Sequence, residues 1–176
     1  AGDTAATRSL NIISSGSGGS VRLNGAIGTT SLSTVNVTGS TIALNGTAVT
    51  SSGNQTYGGA VTLGADTTLT GSNVTTTASS TLAGATNTLD VAGNAYIGGD
   101  VSGVDVLNVS GTTNLSTNIS TTGNQTYAGA ITLGSNAVLL ATDNTAIITA
   151  NSSINSDSTA RGLTLNSSGG GTVVFN

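Results

Sequence analysis

The side chains in this sequence that could do chemistry are few. The acids are seven Asp and the bases three Arg, and there is no His, Cys, Lys or Glu. Proton transfer and nucleophilic catalysis draw mainly on those four missing types. A pair of Asp could still hydrolyse a glycoside, and the closest pair is Asp100 and Asp105, in GGDVSGVDVL. Their odd spacing would send them to opposite faces of a strand that spanned both. Lyase chemistry also needs a base beside its acids, and Arg8, Arg22 and Arg161 lie far away in the chain. No catalytic residue is assigned, and the chain reads as a non-enzyme.

The same stretch faintly echoes the Gly-Gly-x-Gly-x-Asp turn of calcium-binding β-rolls. It occurs once, and calcium takes roughly six to eight oxygens, so Gly and Asp are expected to serve a turn here. No metal or cofactor is expected. Asn-x-Ser/Thr begins at Asn36, Asn45, Asn54, Asn73, Asn108, Asn114, Asn118, Asn124, Asn151 and Asn166. In a chain this rich in Ser and Thr, chance accounts for most of these. The Thr75/Thr77 and Thr86/Thr88 pairs do not recur at one spacing, as an ice-binding array requires. Tyr57 and Tyr127, both in GNQTY, could form a ligand platform, but packing is the expectation favoured.

The elements that must position these residues are strands. Apolar residues alternate with small polar ones in Val35-Asn-Val37, Val61-Thr-Leu63, Leu89-Asp-Val91, Leu107-Asn-Val109, Ile131-Thr-Leu133 and Leu163-Thr-Leu165. Period-two alternation marks a strand with one buried face, and the Gly, Asn, Asp and Ser between the runs are turn formers. There is no helical stripe. At 6% charged residues, no Pro and 36% hydrophobic residues, the composition is not that of a disordered chain. A net charge of −4 argues against nucleic-acid binding, and no apolar run is long enough for a membrane span. The chain begins Ala-Gly-Asp, without Met or leader, and reads as a processed or excised segment.

Repetition sets the architecture. TSSGNQTYGGAVTLGADTTLT, from Thr50, returns 70 residues later as STTGNQTYAGAITLGSNAVLL, from Ser120. Upstream, VNVTGSTIALNGTAV from Val35 corresponds to LNVSGTTNLSTNI from Leu107, and LNIISSGSGGSVRLN from Leu10 to LTLNSSGGGTVVFN from Leu163. Repeat units thus start near residues 10, 89 and 163, and residues 72–106 diverge most. A closed sandwich has no need of so long a repeat, whereas in a solenoid each repeat buries its apolar edge on the next. The fold expected is all-β, a right-handed parallel β-helix over 10–176, with residues 1–9 an extension that could cap it. At roughly 18–23 residues per turn, the repeat spans three or four turns. If those are whole turns, Tyr57 and Tyr127 lie on the same side of the rod. Val61, Leu63, Leu69, Leu89, Val91, Leu107, Val109, Ile131, Leu133, Leu163 and Leu165 should point inward.

GNQTYGGAVTLGADTTLT and LNVSGTTNLSTNISTTGNQTYAGAITLG resemble repeats of the filamentous haemagglutinin family, giant exoproteins of Gram-negative bacteria exported by two-partner secretion. The resemblance implies a β-helical shaft at the bacterial cell surface, outside the cell, serving adhesion, aggregation or display. That family's secretion domain carries Asn-Pro motifs, and this chain has no Pro, so the resemblance is to shaft. The partners expected are flanking repeats or further copies stacked end to end, with glycans of host or neighbouring cells as further candidates. The alternative function is a carbohydrate-binding β-helical module. Neither nucleic acid nor membrane insertion is expected.

Overall fold

The computed structural model describes residues 8–176 apart from Ser79. The possible cap over residues 1–9 therefore falls, up to residue 7, outside the described residues. The strands are β1 (Leu10–Ile13), β2 (Ser20–Leu23), β3 (Ile27–Leu32), β4 (Val35–Leu44), β5 (Ala48–Ser51), β6 (Gln55–Leu63), β7 (Thr67–Thr76), β8 (Leu82–Ala83), β9 (Leu89–Ile97), β10 (Val101–Val104), β11 (Leu107–Val109), β12 (Thr113–Leu115), β13 (Ile119–Thr121), β14 (Gln125–Tyr127), β15 (Ile131–Leu133), β16 (Ala137–Ala141), β17 (Ile147–Ala150), β18 (Ile154–Ser156), β19 (Leu163–Ser167) and β20 (Thr172–Phe175). The pairings between these strands are parallel, and each joins a strand to the one a turn away. The chain is an all-β parallel β-solenoid of about eight turns.

Each turn has three sides, called A, B and C in chain order. The long strands β4, β6, β7 and β9 bend at a corner and serve two sides each. On side A one inward row runs Ile12, Val37, Tyr57, Thr76, Ile97, Leu115, Leu133. On side C one runs Val49, Leu69, Val91, Val109, Tyr127, Ala150. The alternation expected from the sequence holds: Val61, Leu63, Leu69, Leu89, Val91, Leu107, Val109, Ile131 and Leu133 are buried, and Leu163 and Leu165, in the last turn, pack half-buried against the same core. Each buried Val, Leu or Ile contributes about 1.5–3 kcal/mol relative to exposure. Backbone ladders between turns pair the groups a lone short strand would leave open.

Tyr57 and Tyr127 do not share a side, contrary to the whole-turn expectation. Gln55-Thr-Tyr57 lies on side A in the third turn, stacked on Val35-Asn-Val37. Gln125-Thr-Tyr127 lies on side C in the sixth, stacked on Leu107-Asn-Val109. The repeat therefore spans three turns and two further sides, which is eleven strand segments. The unit starts follow the same count: Leu10 begins side A of the first turn, Leu89 side C of the fourth and Leu163 side B of the eighth. The cause is turn length. Leu89, Leu107 and Gln125 stack at 18-residue intervals, whereas Leu10 and Val35 are 25 apart. A 70-residue period is not a multiple of such turns.

Glycine marks the sharp corners. Between sides C and A, a Cβ on Gly93 would sit 1.8 Å from the carbonyl oxygen of Gly71 one turn below, and one on Gly129 would sit 2.5 Å from that of Gly111. The divergent stretch from 72 to 106 holds the least regular corner, where Ala85 and Thr86 take φ of 49° and 67°. A positive φ is strained for a β-branched residue, and the Asn87 side chain braces the corner by donating to the carbonyls of Leu63 and Gly84 at 3.0 Å each.

Candidate functional surface

The two GNQTY tyrosines are core groups. Each strand turns Gln and Tyr inward together because they are two residues apart. The Tyr57 hydroxyl donates to Gln55 Oε1 at 2.8 Å, and the Gln55 amide donates to the carbonyls of Val49 and Thr70 at 2.9 and 2.8 Å. In the second copy the Tyr127 hydroxyl donates to Gln125 Oε1 at 3.0 Å, and Gln125 Nε2 donates to Thr121 Oγ1 at 3.1 Å and to the Leu140 carbonyl at 2.8 Å. Burial pushes both phenols well above the usual tyrosine range. A ligand platform cannot be built from side chains sealed inside the rod. The signal in the sequence was present: these are its only two Gln, each at the inward phase of an alternating strand.

Asp100 and Asp105 flank β10 rather than sharing a strand. The Thr117 hydroxyl and the Asn118 N–H donate to Asp100, holding its carboxyl below the ordinary range. The Thr122 hydroxyl donates to Asp105 at 2.8 Å. Both acids thus fasten the turn above. Asn118 Oδ1 and Asn136 Oδ1 continue this on the Asp100 corner, accepting from the N–H groups of Val138 and Gly162 at 2.9 and 2.8 Å. Asn54, Asn73 and Asn94 form a ladder on another corner, side chain to side chain, at 2.9 and 3.2 Å. Arg161 lies on the last turn in an ion pair with Asp157 at 2.9 Å, and Arg22 is exposed on side B. Neither approaches the two acids in strand register, and among the described residues no three Asp gather as a metal site.

What remains is the outside of the rod. The central outward row of side A runs Asn36, Thr56, Thr75, Tyr96, Asn114, Thr132. That of side C runs Thr68, Asp90, Asn108, Thr126, Thr149. Thr75 and Thr77 share side A, whereas Thr86 and Thr88 lie in the irregular corner, so no flat threonine array forms. Tyr96, 48% exposed, stands out on side A. Beside it is a shallow depression of about 210 Å³.

Fold and surface together define a β-solenoid whose corner polar groups bond turn to turn and whose outer sides are neutral, apart from a few isolated charges. No protein-family model, curated protein or solved structure matches the chain.

Proposed function

We propose that the chain is a shaft segment of an extracellular filament or adhesin displayed on a bacterial cell surface, carrying adhesion, aggregation or a distal domain. One observation carries this reading: the same cassette is used on different sides of the rod with its buried tyrosine-to-glutamine bond and the glutamine bond to the Thr70 or Leu140 carbonyl kept. A repeat that cycles among sides builds length and stiffness and gives no side a privileged recognition role. The resemblance to filamentous haemagglutinin repeats supports the same reading. An antibody against the segment should label intact producing cells, and surface protease should remove the label. Label that appears only after permeabilisation would overturn the reading.

A further inference from the structure

Tyr96 occupies a repeat position that does not call for an aromatic. Eleven strand segments before it, on side B of the first turn, the same outward position holds Arg22. Eleven after it, on side C of the eighth, it holds Val174. Arginine, tyrosine and valine differ in size and polarity, so the fold does not hold this outward position to one residue type. The setting of the ring narrows what it can bind. Thr75 lies one turn below it and Asn114 one turn above. The depression is lined further by Thr77, Ala78, Gly98 and Ser116. Gly98 sits where the backbone passes close to the turn below, since a Cβ there would come 2.7 Å from the Thr76 carbonyl oxygen. Hydroxyl and amide groups surround one aromatic, and the lining contains no Asp or Arg.

We propose that Tyr96 and this depression bind one ring of a neutral glycan, which goes beyond the shaft reading and does not depend on it. A pyranose offers a face of C–H groups that carry slight positive charge, and an aromatic face is its electrostatic complement. Its equatorial hydroxyls match the donors and acceptors of Thr75, Asn114 and Ser116. The absence of charge in the lining disfavours sialylated or sulfated sugars, whose anions would lose hydration with no cation to receive them. The volume is below the roughly 300–1,000 Å³ of sites that enclose drug-sized ligands and suits a single ring. A second copy of the chain is a poorer occupant, since a stable interface needs about 800 Å² per partner and side A offers one exposed ring among polar residues.

The test uses the whole chain against an array of neutral, sialylated and sulfated oligosaccharides, followed by titration of neutral hits. The chain has no Trp and its other two tyrosines are buried, so quenching of tyrosine emission by a soluble quencher reports on Tyr96 alone. Neutral glycans should bind with Kd about millimolar or tighter, independently of salt, and shield Tyr96 from the quencher. Tyr96→Ala should weaken binding about tenfold or more, and Tyr96→Phe should retain it, both with unchanged circular dichroism and melting. No binding to any neutral glycan, binding confined to charged ones, or equal affinity of Tyr96→Ala would each overturn the proposal. So would concentration-dependent self-association that shields Tyr96 and is abolished by Tyr96→Ala.

Discussion

Residues 50–70 and 120–140 trace the same path from the end of one strand through three corners and three strand segments, the first of those segments lying on side A in the third turn in one copy and on side C in the sixth in the other. Where the two copies differ in sequence, the structure accounts for the difference. Gly58 is Ala128 in the second copy, and a Cβ on Gly58 would meet the Thr38 side chain and the Val37 carbonyl oxygen at ordinary contact distances of 3.5 Å or more. The next residue is Gly in both. A Cβ on Gly59 would lie 1.9 Å from the Gly39 carbonyl oxygen, and one on Gly129 would lie 2.5 Å from that of Gly111. Ser51 becomes Thr121 with its bond kept: each hydroxyl donates to the carbonyl two residues on, at 2.9 and 2.7 Å. What the fold requires is thus local to a corner and the strand after it. The three sides are interchangeable hosts for that unit.

The largest effects should come from the glycines. Gly59→Ala and Gly129→Ala each force a backbone apart and should cost about 4 kcal/mol, whereas Gly58→Ala should stay within about 0.5 kcal/mol. Denaturant unfolding of the three variants reads this directly, and similar costs for Gly58→Ala and Gly59→Ala would break the comparison. The buried amides come next. Gln55→Leu and Gln125→Leu each leave a phenol without its acceptor and remove two amide bonds, to the Val49 and Thr70 carbonyls in one copy and to the Thr121 hydroxyl and Leu140 carbonyl in the other. Each should cost about 3 kcal/mol, equally in the two copies although they lie on different sides.

Alkali should probe the same pair. Both phenols are raised by burial, so their contribution to stability is complete below the unfolded tyrosine value of about 10 and is lost as pH rises beyond it. Each unit above that value removes up to about 1.4 kcal/mol per buried tyrosine. Tyr127→Phe should lower the slope of melting temperature against pH by about half. With no His, Cys or Lys in the chain, melting should be nearly flat from roughly pH 5 to 9.

The smallest effect is a gain. Thr113 is buried and its hydroxyl has no partner among the described residues. The matching inward position one repeat earlier is Ile42. Thr113→Val should therefore raise stability by about 1 kcal/mol, seen as a higher melting temperature.

Much of this was legible in the sequence. Alternation identified the inward residues because the strand period is two whatever the architecture, and the Val61-Thr-Leu63 and Ile131-Thr-Leu133 pairs fell where it placed them. The side each strand occupies was not legible. It depends on the residues spent in each corner, and those vary from the single bend at Gly59 inside β6 to the run from 157 to 162 between β18 and β19. Only the accumulated register shows that a 70-residue period misses a whole number of turns. Nor did the tyrosines separate by type. Tyr57 and Tyr96 look alike in a list, and only the phase of their strands puts one in the core and the other on the surface.

Thiol cross-linking along side A tests the central claim, that the repeat steps from side to side. The chain has no cysteine, so introduced pairs report without background. Outward neighbours in adjacent parallel strands lie about 4.8 Å apart, within disulfide reach. Cysteine pairs at Thr56/Thr75, Thr75/Tyr96, Tyr96/Asn114 and Asn114/Thr132 should all close under mild oxidation, tracing one unbroken row that passes from the first copy of the cassette to Thr132 and leaves Thr126 out. Closure of Thr126 onto that row, with failure of the Asn114/Thr132 pair, would place both copies on one side and contradict the account.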